Sequence, residues 1–204
     1  MTDRPAERPT ALVIQTAFLG DVVLTTPLLA ALAARHGPVD VVTTPAAAVL
    51  LQHHPAVATV LPYDKHGADG GWTGFRRMGS RLRSRGYRTV YLPHRSVRSA
   101  ALALWSGAQE RIGFADAPAA FTYTRRVGRA RTGHEVERLL ALASPGLAET
   151  HAVSLGLTRE DHAAAQSWLE ANGVGSGFIA FAPGSVWATK RWPYYPELAA
   201  RLEG

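Results

Sequence analysis

The 204-residue chain has no cysteine. Disulfides, thiol catalysis and cysteine-ligated zinc or iron–sulfur centres are thereby excluded, and the lack fits a cytoplasmic, reducing setting. Lysine is nearly absent too. Among 22 basic residues only Lys65 and Lys190 are lysines; the others are arginines. Long apolar runs are also missing. Leu28–Ala34 and Ala100–Trp105 fall far short of the roughly 20 residues that a membrane-spanning helix needs. The opening residues 1–10 are polar, carry Asp3 and Glu7, and read as a disordered tail rather than a secretory signal. No G-x-x-x-x-G-K-[ST], no G-x-G-x-x-G after the first strand, no H-E-x-x-H and no G-x-S-x-G occurs. Nothing in the sequence supports a bound metal.

What is present is a formal charge of +6 and 47% hydrophobic residues. A chain of this length and apolarity can bury a core. The arginine surplus suits an anionic partner, because a guanidinium grips phosphate or carboxylate with two prongs; a general bias toward arginine explains it equally well. Ala11–Gln15 reads as a buried strand, Thr16–Asp21 as a turn, and Val22–His36 as a helix with Asp21 at its N-cap. Val39–Thr43, Val57–Leu61, Thr89–Leu92 and Arg111–Phe114 read as further strands. Ala46–Gln52, Phe75–Arg85 and Arg95–Trp105 read as helices between them, and Asp64–Gly74 as a loop. The alternation predicts a parallel sheet with helices on both faces, a Rossmann-like sandwich. Ala115–Arg131 reads as irregular, Gly133–Ala143 and Arg159–Asn172 as helices, and Ser144–Thr158 as a connection. Gly173–Gly177 reads as a linker, Phe178–Ala182 as a strand and Pro193–Leu202 as a helix.

Sheets of this kind bind ligands beyond the carboxyl ends of their strands, and four polar clusters lie there. Gly20 and Asp21 open the first helix. Gly20 permits close approach to the backbone. Asp21 either caps the helix or accepts a proton from a substrate hydroxyl. His94, Arg95, Ser96 and Arg98 follow the fourth strand and could contact an anionic group, although Ser96 could equally cap the next helix. Ser185, Thr189, Lys190 and Arg191 lie between the last strand and helix. They form either a diphosphate cradle with a cation to offset a leaving group or a basic surface loop. His134 and Arg138 share a helix face, where a histidine is more often structural than catalytic.

Together, Leu19-Gly-Asp-Val-Val-Leu-Thr-Thr-Pro27, Leu92-Pro-His-Arg-Ser-Val-Arg-Ser-Ala100, Arg111-Ile-Gly-Phe114 and Pro183-Gly-Ser185…Lys190-Arg-Trp-Pro193 resemble, in this order, the motifs of glycosyltransferase family 9, the heptosyltransferases. The last is similar to the type II pattern. The resemblance implies a GT-B enzyme with two Rossmann-like domains and a cleft between them. It implies that residues 11–172 are the acceptor domain, 173–177 a linker, and 178–204 the opening of a nucleotide-sugar domain whose remainder is missing. It implies transfer of heptose from ADP-heptose to the lipopolysaccharide inner core with inversion, Asp21 being the general base. Ser185, Thr189 and Lys190 would face the donor diphosphate, and Gly20, His94, Arg95 and Arg98 the acceptor. The nucleotide sugar is a substrate, so no cofactor and no metal are expected. Work at the cytoplasmic face of the inner membrane, with peripheral contact, follows from such an acceptor. The 204 residues alone are expected to be inactive. Three other readings remain: a family member acting on another sugar, a non-catalytic acceptor- or anion-binding module, and a nucleic-acid binder, the last resting on charge alone with no known motif.

Overall fold

β1 (Ala11–Ile14) consists of four apolar residues, all fully buried. A strand with no polar side suits a sheet covered on both faces. Its alternation divides the core in two: Ala11 and Val13 join one cluster, Leu12 and Ile14 the other. A computed structural model describes residues 10–143, 152–185 and 187–202. Of the tail expected over 1–10, residues 1–9 lie outside the described residues, as do most of the connection expected at Ser144–Thr158 and Val186; the Thr10 carbonyl, by contrast, accepts from Arg88 N–H (2.9 Å) and Thr89 N–H (3.2 Å). The chain divides into two compact units, Met1–Thr158 and Arg159–Gly204, so the helix at 159–171, expected to belong with the first domain, falls in the second unit.

In the first unit, β1 is joined by β2 (Val39–Thr43), β3 (Val57–Pro62), β4 (Thr89–Leu92), β5 (Glu110–Phe114) and β6 (Arg125–Val127). All pairings are parallel, in the order β3-β2-β1-β4-β5-β6. The chain builds outward from β1 in one direction, then returns to β4 and builds outward in the other. A crevice opens at the carboxyl ends where that direction reverses. One face is covered by α1 (Leu19–His36), α2 (Pro45–Leu51) and α5 (Glu135–Leu140), and the other by α3 (Gly71–Arg85), α4 (Val97–Trp105) and a 3₁₀ turn at Ala120–Thr122. Gly113 in β5 has a specific use. A Cβ there would strike the Tyr123 ring, which packs on the strand from the 3₁₀ side.

Several boundaries differ from the sequence reading for identifiable reasons. α1 starts three residues early, so its N-cap is Phe18 and Asp21 is the third helical residue. Asp21 closes the helix start from inside: Phe18 N–H donates to its Oδ2 at 3.2 Å. Pro27 thus lies in the third turn and leaves the Val23 carbonyl without its helical donor. The Thr26 hydroxyl donates to that carbonyl at 2.8 Å instead. α3 begins at Gly71 rather than Phe75, because Asp64 organises the preceding loop by accepting from Gly67 N–H (2.9 Å) and Ala68 N–H (3.2 Å). β6 lies within the stretch expected to be irregular; two of its three side chains are exposed, so it carries no hydrophobic signal.

Below the opposite end of the sheet, Asp40 of β2 is fully buried. It is paired with Arg85 and accepts from Tyr87 Oη at 2.5 Å. Burial, with the Asp40 carboxylate beside it, raises the Tyr87 phenol well above its ordinary value. The second unit contains α6 (Arg159–Ala171), a 3₁₀ turn at Ala188–Lys190 and α7 (Tyr195–Leu202). The strand expected at Phe178–Ala182 is absent: among the described residues no neighbour supplies a ladder for it, and a strand's hydrogen bonds come from its neighbour.

Candidate active site

The crevice between β1 and β4 holds a cavity of about 410 Å³, lined by residues including Gln15 and Ala17 after β1, Asp21 in α1, His94 and Arg95 after β4, and Arg129. Three connections positioned by the sheet therefore converge on one space. Two of the sequence clusters meet here, the α1 start and the segment after β4.

Asp21 is half-buried in the first turn of α1. Its backbone is fixed from below. Gln15 Nε2 donates to Thr25 Oγ1 (2.9 Å), and the Thr25 hydroxyl donates to the Asp21 carbonyl (2.7 Å). Gln15 and Thr25 are both buried, so this chain of bonds ties the helix turn to the end of β1. A Cβ built on Gly20 meets nothing within 4 Å. The space over the helix start is open to another molecule, and its rim carries the exposed side chains of Phe18 and Leu19.

His94 is half-buried beside Asp21. Burial lowers its pKa, Lys65 and Arg95 lower it further, and Asp21 opposes them. The imidazole is therefore neutral at pH 7 and can accept one hydrogen bond while donating another. Lys65 is held close by donating from Nζ to the Thr16 carbonyl at 3.0 Å. Arg95 is exposed and ion-paired with Asp116 at 2.5 Å, a surface pair that an anionic ligand can replace at little cost. Ser96 caps α4, accepting from Ser99 N–H at 3.3 Å.

Arg98 is not among the cavity's lining residues. It lies over the Tyr63 and Phe75 rings, donates to Tyr63 Oη at 2.6 Å, and donates to the carbonyls of Asp69 and Gly71 at 3.2 Å each. In this arrangement it clasps the start of α3. His134 caps α5: its Nδ1 accepts from Val136 N–H at 3.3 Å, and Glu137 accepts from its N–H at 3.1 Å. Arg138 pairs with Glu135 at 2.8 Å.

Arg129 escaped the sequence reading. Glu135 grips it in a two-pronged pair at 2.8 and 2.7 Å, and its guanidinium lies over the Phe114 ring. Burial pushes the Glu135 carboxyl up, but hydrogen bonds and charge from Arg129 and Arg138 outweigh it and hold the group below its ordinary value. The available signal was a carboxylate in the first turn of a helix, six residues after an arginine. The cavity thus sets two carboxylates, Asp21 and Glu135, among Arg129, Arg95 and the neutral His94, and suits a hydroxyl-bearing ligand whose anionic group the exposed Arg95 can take.

The segment after Ala182 belongs to the second unit. Ser185 Oγ accepts from Trp187 N–H at 3.3 Å, and Arg191 Nε donates to the Ser185 carbonyl at 2.8 Å. These bonds fold the segment into a tight turn whose Thr189 and Lys190 side chains are exposed. Among the described residues no group of three His, Asp or Glu side chains is placed to hold a metal ion, and no helix is long and apolar enough to cross a membrane.

Comparison with known proteins agrees with this architecture. The family model for glycosyltransferase family 9 (heptosyltransferase) matches residues 75–204. The chain is 31% identical to lipopolysaccharide heptosyltransferase 1 of Pseudomonas aeruginosa, across 94% of this chain and 57% of that protein. Among solved structures, it is similar to the family 9 glycosyl transferase of Veillonella parvula (TM-score 0.82, 21% identity, 99% of this chain and 63% of that one). It is also similar to the ADP-heptose lipopolysaccharide heptosyltransferase II of E. coli (TM-score 0.72, 24% identity, 95% and 61%). The chain thus spans about three-fifths of the length of these relatives. With four motifs in order, a doubly wound parallel sheet and a family match over more than half its residues, the chain belongs to glycosyltransferase family 9, the heptosyltransferases, and its fold is the GT-B fold of that family.

Proposed function

We propose that the protein is the acceptor-side part of a heptosyltransferase that moves heptose from ADP-heptose to the lipopolysaccharide inner core. The observation that carries this reading is the cavity at the β1–β4 crevice, which gathers Asp21, His94, Arg95 and Arg129 around one opening. In the reaction the Asp21 carboxylate takes the proton of the acceptor hydroxyl as the oxygen attacks the anomeric carbon from the face opposite ADP. The new C–O bond forms, the bond to the diphosphate breaks with its electron pair on ADP, and the anomeric centre inverts. Such a base contributes on the order of 10²–10⁴-fold in rate. Gln15 and Thr25 hold the base's backbone. Gly20 leaves room for the acceptor, and His94, Arg95 and Arg129 bind its phosphate and acidic-sugar groups. Arg98 serves the acceptor side indirectly, by fixing the loop before α3.

Ser185, Thr189 and Lys190 are assigned to the donor. The hydroxyls bond the diphosphate oxygens and the ammonium offsets charge on departing ADP. The acceptor domain is assigned to the first compact unit, up to Thr158, with 173–177 as a linker and 178–204 as the start of the nucleotide-sugar domain. The rest of a protein of family length completes the donor pocket. The site of action is the cytoplasmic face of the inner membrane, and no metal takes part.

The test is a turnover assay with ADP-heptose and a heptose-bearing core acceptor, read by product mass. A protein of family length is expected to add one heptose, and residues 1–204 alone none. Transfer from a different nucleotide sugar, with none from ADP-heptose, would move the assignment to another sugar. Binding of the acceptor with no transfer from any donor would favour a binding module.

A further inference from the structure

The sequence of α3, Gly-Trp-Thr-Gly-Phe-Arg-Arg-Met-Gly-Ser-Arg-Leu-Arg-Ser-Arg, holds five arginines and no acidic residue. Its inner face, Phe75, Met78 and Leu82, is buried. Arg76, Arg77, Arg81 and Arg83 all face solvent, as does Arg88 just after the helix. Arg77 is paired with Asp69. Among the described residues, Arg76, Arg81, Arg83 and Arg88 make no side-chain hydrogen bond or ion pair. Shallow hollows lie at both ends of the outward face. One is lined by Trp72, Thr73, Arg76, Arg77 and Ser80, and the other includes Arg83 and Arg88; neither contains an acidic side chain.

Trp72, in the first turn, is 64% exposed. One side of it packs on other rings, stacked on Phe75 (5.5 Å between centroids) and edge-on to Trp105 (5.7 Å). A large apolar ring exposed beside unpaired arginines suits contact with an anionic bilayer surface, the ring at headgroup depth and the cations over phosphates. A polyanion without aromatic groups would match the charge but gives no reason for the exposed indole.

We propose that the outward face of α3, with Trp72, Arg76, Arg83 and the neighbouring Arg88, is a docking surface for an anionic phospholipid bilayer. It deepens the proposed function, because a lipid-borne acceptor lies in such a surface. Arg98 ties the first turn of α3 to the helix that follows His94 and Arg95, so docking would present the acceptor cavity at a fixed height over the membrane.

The test is co-sedimentation of the whole chain with vesicles of phosphatidylglycerol mixed with phosphatidylcholine, against phosphatidylcholine alone. Binding to the anionic vesicles only, weakened by salt, is expected. Replacing Arg76, Arg83 and Arg88 together by alanine should lower partitioning on the order of 100-fold, at roughly fivefold per arginine near the surface. All three are exposed, and an unchanged melting temperature verifies the fold. Quenching of tryptophan emission by brominated lipid should fall in Trp72→Phe, a variant that keeps the ring packing. Equal binding to neutral vesicles, no binding to anionic ones, or a triple variant that sediments like the parent would overturn the proposal. So would a Trp72→Phe variant quenched as fully as the parent. Sedimentation does not read turnover: a chain that binds vesicles but transfers no heptose would defeat the proposed function alone, and the reverse result would defeat only the docking surface.

Discussion

Two short apolar segments of this chain have opposite fates. Ala11–Ile14 is wholly buried, whereas Phe178, Ile179 and Phe181 are 54%, 62% and 38% exposed. Both have the composition of a buried strand. The first lies between β2 and β4, and both its edges are satisfied by ladders. The second has no partner strand among the described residues. The same contrast holds for helices: α1 buries eight residues against the sheet, whereas α6 and α7 bury none. A hydrophobic pattern therefore specifies which side chains can enter a core, but a sheet must exist before they do. In the first unit burial and pairing reinforce each other, and the candidate cavity opens at the end of β1.

This contrast can be broken by substitution. Leu12→Ala removes a side chain enclosed in the middle of the sheet and should cost about 2–5 kcal/mol in denaturant unfolding followed by circular dichroism. A smaller effect is expected at the rim of the site. The folded-state pKa of Glu135 is depressed, so its contribution to stability is fully present above the ordinary glutamate value of about 4.5 and is lost as pH falls through the lowered folded value. Thermal stability of the parent should fall over that acidic window, and Glu135→Gln should flatten the slope there while starting from a lower plateau at pH 7. An identical slope in the variant would show that the two arginines do not hold the carboxylate. Phe181→Ser, in the exposed segment, should change stability by no more than about 0.5 kcal/mol in the same unfolding experiment. A loss as large as that of Leu12→Ala would mean that this segment is packed in solution.

Much of the first unit was legible because its signals are local. Five strands could be read as short apolar runs, and Ser96 as a cap. Asp21 was found from its place after a strand, but its position in the helix was missed. The N-cap is Phe18, whose side chain offers no capping oxygen, and the closing bond runs backward from a backbone N–H to Asp21. β6 was illegible because its existence depends on pairing with Ile112–Phe114, which its own three residues do not encode. Arg129 was missed for a related reason. It reaches the cavity because β6 and α5 bring Glu135 beside it, a tertiary fact that the irregular stretch Ala115–Arg131 does not reveal. Arg98 shows the converse. Its place after the fourth strand suggests contact with an anionic group, and it lies instead over the Tyr63 and Phe75 rings of other elements.

The most direct test of the account is the steady-state rate of Asp21→Asn in a protein of family length, with ADP-heptose and the core acceptor. Asparagine keeps the size of the side chain and can still accept from Phe18 N–H, so the helix start should persist. We expect kcat to fall on the order of 10²–10⁴-fold, with KM for ADP-heptose little changed. An unchanged kcat would contradict the assignment of Asp21 as the base and, with it, the reading of the β1–β4 cavity as the place where the acceptor hydroxyl is activated.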